Sequence, residues 1–169
     1  MPAEDTKQLC CTVKENMKKI NTLLENFLNE YSVKHILDHS VDGDCNNEAY
    51  IRQFLSDLRH LSVACELGYE RVSLVLRRAH FNPEFADKVL SEIMHTSIYK
   101  FYYPKNEVYE EDGRYSYTSF DAIKFRETPP KPLRELIIQL SKIFEVLRDE
   151  LDYYETDYIT RTTMRNMNP

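Results

Sequence analysis

Apolar side chains return every three or four residues through four long stretches of this chain, the period at which an α-helix presents the same face again. The first stretch runs from about Asp5 into the thirties, with Leu9, Val13, Met17, Ile20, Leu24, Phe27 and Tyr31 on one side. Asp5 with Gln8 resembles a capping box at its start, and Val41-Asp42-Gly43-Asp44 ends it. The second begins near Asn46 or Asn47, both favourable N-caps, and its stripe is Ile51, Phe54, Leu55, Leu58, Leu61, Cys65, Tyr69, Val72 and Leu76. Arg77, Arg78 and His80 suit the negative end of its dipole. Asn82-Pro83 restarts the chain as cap and first helical residue, and Phe85, Val89, Leu90, Ile93, Met94 and Phe101 form the inner side of a third helix. The fourth starts at Pro129, Pro130 and Pro132 and carries Leu133, Leu136, Ile137, Leu140, Phe144, Leu147, Leu151, Tyr154 and Tyr158. Arg161 and Arg165 fit its last turns.

Between the third and fourth stretches the period fails. Residues 103–128 are dense in tyrosine and charge, and Asp112-Gly113 stands between β-formers in the run Val108 to Tyr117, a strong hairpin signal. Ile123 and Phe125 alternate with Lys124 and Arg126, a pattern for a third short strand. The expected architecture is therefore all-α: a four-helix bundle with a small β-hairpin inserted between helices 3 and 4, a single domain over residues 1–169.

Composition removes several functions. With 22 basic and 28 acidic residues the formal charge is −6, which opposes the phosphate neutralisation behind general nucleic-acid binding. No apolar run approaches the length of a membrane span, and the start lacks the apolar core of a signal peptide, so a cytoplasmic location is expected. Cys10, Cys11, Cys45 and Cys65 show no paired spacing and are expected to be reduced.

The chemistry-bearing residues are scattered. Asp57-x-x-His60 and Glu92-x-x-His95 have the spacing of di-iron bundles, but both pairs fall away from the apolar stripes and are expected in solvent. His35, Asp38 and His39 share a helix face and are the remaining metal candidates, although a usable site needs at least one further ligand from elsewhere. Glu145, Asp149, Glu150, Asp152, Glu155 and Asp157 form an acidic ridge on the fourth helix, with Glu145, Asp149 and Asp152 opposite its stripe, an attachment face for a basic partner. No Gly-x-Ser-x-Gly or phosphate loop is present, Cys65 lies on a buried stripe, and no cofactor is expected.

The insert is where binding groups gather. Tyr103, Tyr109, Arg114, Tyr115, Tyr117, Lys124 and Arg126 combine apolar area with hydroxyls and cations, the residue types that anchor interfaces and ligand pockets. The same tyrosines could equally cap the open end of the bundle.

The runs Ala122-Ile-Lys-Phe-Arg-Glu-Thr-Pro-Pro130 and Glu150-Leu-Asp-Tyr-Tyr-Glu-Thr-Asp-Tyr158, together with Pro104 to Arg114, resemble the YpuI-like family of uncharacterised bacillar proteins. The similarity is sharpest from Tyr103 to Tyr158 and implies a bacterial, cytoplasmic protein with no activity or catalytic residue to carry over. The expectation is a non-catalytic interaction or regulatory bundle, self-associating or bound to a protein partner, with neither nucleic acid nor membrane as partner. The alternative is an enzyme or small-ligand binder that grips an anionic ligand at the tyrosine-rich insert.

Overall fold

In the computed structural model, residues 3–41, 43, 46–111 and 123–154 are described. The first helix, α1 (Ala3–Glu30), buries Leu9, Cys10, Val13, Met17, Ile20, Leu24 and Phe27, the spacing expected of a helix packed along one side. It stops earlier than its stripe suggests, because the Ser32 hydroxyl accepts from the His35 backbone N–H and restarts the chain as a short α2 (Val33–Asp38). Asn47 caps α3 (Glu48–Arg77) by accepting from Tyr50 N–H, and Asn82 caps α4 (Pro83–Ile93) by accepting from Phe85 N–H, with Pro83 in the first turn.

The expected third helix is not one regular α-helix. After α4 the chain forms a π-helix (Met94–Ile98) and then α5 (Tyr99–Tyr102). The wider turn seats Ser97 against α3, where its hydroxyl donates to the Ala64 carbonyl at 3.1 Å. Gly68 makes that approach possible, since a Cβ there would lie 3.1 Å from Ser97 Oγ and 3.4 Å from Ile93 Cγ1. Helix α6 (Lys131–Glu150) places Pro132 in its first turn and buries Leu133, Leu136, Ile137, Leu140, Phe144 and Leu147. The helical segments thus outnumber the four expected, although the molecule is mostly helical as anticipated.

Pairs across the core fix the directions. Asn21 on α1 reaches the Cys65 carbonyl and Lys14 lies over the Tyr69 ring, so α1 and α3 run antiparallel. Phe101 stacks on Phe144 with centroids 4.3 Å apart, while the Tyr154 hydroxyl, at the far end of that row, donates to Asp87 at 2.7 Å. The α4 to α5 row and α6 are therefore antiparallel as well.

Two short strands, β1 (Tyr109–Glu111) and β2 (Ile123–Phe125), pair antiparallel with Tyr109 opposite Phe125 and Glu111 opposite Ile123. The stretch expected to be the third strand is thus the partner of β1, whereas Arg114 to Tyr117 lie outside the described residues. Burial decides the pairing: Tyr109 and Phe125 meet each other and both contact the Phe54 ring on α3. Among the described residues no helix is long and apolar enough to cross a membrane.

Candidate functional site

The insert's side chains divide between core and surface. Tyr109 is buried, packed among Phe54, Phe101 and Phe125, and its hydroxyl donates to the Phe101 carbonyl. Burial pushes its ionisation well above the ordinary tyrosine range, so it acts as a neutral core residue. Arg126 is held on α3: its guanidinium lies over the Tyr50 ring at 5.1 Å and donates to Gln53 Oε1 at 2.8 Å. Lys124 is exposed and Tyr103 is 62% exposed. A cleft of about 790 Å³ does bring Tyr103, Tyr109, Lys124 and Arg126 together, but Glu107 and Glu110 share its wall. Arg114, Tyr115 and Tyr117 lie outside the described residues.

Asp57 departs from expectation. The helical-wheel reading placed it in solvent, yet it is 7% exposed. Its carboxylate accepts from the Asn106 backbone N–H at 3.2 Å and from the Asn106 side-chain amide at 2.8 Å, tying the turn after α5 onto α3. Desolvation raises its pKa above the ordinary value of 3.8, and the two hydrogen bonds from Asn106 pull in the opposite direction. Tyr50 secures the same corner by donating to the Val108 carbonyl at 2.7 Å.

That corner closes one end of a groove of about 960 Å³ between α3 and the row formed by α4, the π-helix and α5. Ala64, Gly68 and Ile93 line it. Val63 and Leu67, 57% and 54% exposed, form the α3 wall. The opposite wall is an aromatic ladder in which His95 meets Tyr99 edge-on at 5.2 Å and Tyr99 meets Tyr103 edge-on at 5.8 Å. His60, Lys100 and Lys105 stand among the lining residues, and an Arg71 to Glu92 ion pair of 2.7 Å crosses the other end. The two sequence motifs with metal-like spacing thus flank this groove: Glu92 faces Arg71, His60 is exposed, and His95 bonds through Nε2 to the Tyr154 carbonyl at 3.2 Å.

Sequence reasoning missed the groove. Its α3 wall is built from residues outside the buried stripe, and only the exposed apolar positions Val63, Leu67 and Leu74, which recur on one helix face, signalled it.

His35 and His39 lie edge to face at 4.5 Å and continue a ladder from Phe27 and Tyr31. Their Nδ1 atoms bond to the Glu30 and His35 carbonyls, Asp38 is exposed, and no group of three or more potential ligands gathers here among the described residues. Cys10 and Cys65 are free, buried thiols pushed up to about 12, chiefly by burial, and Cys11 is an exposed free thiol.

The model of a family described as proteins of unknown function (DUF3907) matches residues 10–160. The chain belongs to that family. A curated relative, the uncharacterized protein YpuI of Bacillus subtilis (strain 168), is 33% identical over 135 residues, which cover 79% of this chain and 75% of the relative. No solved structure matches. The match reaches across α1 and α3 as well as the second half, so the family extends over the helical layout on which the sequence resemblance was weakest.

Proposed function

We propose that the protein is a non-catalytic interaction module of the cytoplasm, built as an antiparallel four-helix bundle whose α3 groove receives a helix of a protein partner. The observation that carries this reading is the groove itself: an elongated apolar trough with Val63 and Leu67 about half exposed and an aromatic ladder opposite. Its α3 wall runs from Asp57 to Arg71, about 21 Å at the helical rise, enough for some four turns of a docked helix. Helix-in-groove recognition uses this combination of an apolar floor and a polar rim.

A photo-crosslinking residue at Leu67 tests the reading. Adducts heavier than the chain are expected from Leu67 and not from Val41, which is 63% exposed elsewhere on the surface. Absence of adducts at Leu67 would contradict it.

The reading of an anionic ligand draws support from the convergence of Tyr103, Lys124 and Arg126 on one cleft. Calorimetric titration with inorganic phosphate addresses it, with Lys124→Glu expected to abolish any heat of binding.

A further inference from the structure

We infer that the occupant of the groove is the acidic end of α6 from a second copy of this chain, each copy laying its helix into the other's trough; the inference rests on the docking reading above. Lys142, Val146 and Asp149 recur on α6 at the spacing that shares one helix face, and Tyr153 follows three residues beyond the helix end. All four are exposed, with Val146 at 48% and Tyr153 at 38%. This end of the molecule therefore presents two apolar knobs, Val146 on α6 and Tyr153 just past its end, with the exposed carboxylates Asp149, Glu150 and Asp152 between them in the chain. The groove offers the complement: apolar wells beside Val63, Leu67, Tyr99 and Tyr103, and two rim cations, Lys100 and Lys105, neither of which forms an ion pair among the described residues. In a chain of net charge −6, such a cationic rim selects an acidic helix from the cell's proteins, and α6 supplies one.

Position makes the exchange reciprocal. The bond from His95 Nε2, on a residue that lines the groove, to the Tyr154 carbonyl sets the segment just past α6 beside the groove wall. A two-fold axis beside that contact brings each α6 end over the partner's groove, an isologous arrangement that closes at two copies and leaves no open end.

Light scattering on the purified full chain tests the inference. A concentration-dependent mass of two chains is expected. Leu67→Glu, which spoils the groove, and Val146→Glu, which spoils the ridge, should each weaken it about tenfold or more, as expected for charges placed in an apolar contact. Both positions are about half exposed, so both variants should keep the wild-type circular dichroism. Mixing the two variants leaves one intact groove facing one intact ridge, and should restore a dimer tighter than either variant forms alone. A strict monomer, a dimer indifferent to either substitution, or a mixture that associates no better than its components would overturn the inference. Crosslinks from Leu67 to a different protein, alongside a monomeric chain, would overturn it while leaving the docking reading in place.

Discussion

Asp57 shows how much one buried carboxylate can decide. Its two bonds hold Asn106, which in turn donates to the Gln53 carbonyl, so the turn that ends the groove hangs on this group. Asp57→Ala should cost about 1 to 3 kcal/mol in urea unfolding, because Asn106 would lose both acceptors in a half-buried site. Since the folded carboxyl titrates above 3.8, the folded state binds its proton more tightly than the unfolded chain does. Its contribution to stability therefore falls as pH rises from that value toward the raised one. Asp57→Asn should remove this slope, so the variant-minus-wild-type stability should climb across that window; a flat difference would contradict the assignment. At Gly68, alanine gains about 1 kcal/mol of helix propensity but presses on Ser97 Oγ. Gly68→Ala should be near neutral in the wild type and stabilising by up to about 1 kcal/mol when introduced into Ser97→Ala, relative to that single variant, as read from the denaturation midpoint. An alkylating reagent at mildly alkaline pH should label Cys11 well before Cys10 or Cys65, whose thiols are buried and held up to about 12. Residue environments of this kind were only partly legible in the sequence: Cys65 followed from its stripe, whereas Asp57 depended on a partner 49 positions away that no local pattern reveals.

Among the elements, those written by periodicity and caps were readable, and those created by contact were not. Asn47, Asn82 and Pro83 start their helices as their chemistry dictates. The π-helix has no comparable signature, since it answers to the close approach of Gly68 and Ser97. The strand pairing likewise turned on which apolar residues could reach Phe54, a tertiary criterion that the Asp-Gly turn signal does not contain. Deleting exposed Thr96 should remove the extra residue that the π-turn accommodates, turning it into an α-turn and leaving the downstream row in phase. Tyr99 and Tyr103 would keep the groove wall and Phe101 would keep Phe144, so the dimer should survive the deletion, and its loss together with the unfolding midpoint would contradict a one-residue π-turn. Phe144→Ala, by contrast, should cost about 3 to 5 kcal/mol by emptying the stack on Phe101.

For the whole molecule, an apolar trough carries the cations Lys100 and Lys105 among its lining, and the segment just past the acidic end of α6 is bonded to His95 of its wall. The sequence pointed to the acidic ridge as an attachment face and to the tyrosine insert as a binding surface. Among the described residues of the insert, Tyr109 packs on Phe54 of α3 and bonds to Phe101 of α5, Arg126 bonds to α3, and Tyr103 joins the groove wall. Hydrogen–deuterium exchange followed as the protein is diluted from high to low concentration tests the central claim most directly. Residues 60–71, 95–105 and 142–153 should lose protection together on dilution, while 33–41 stays unchanged. Protection that does not depend on concentration in those three segments, or that changes in only one of them, would contradict a dimer in which groove and ridge are exchanged.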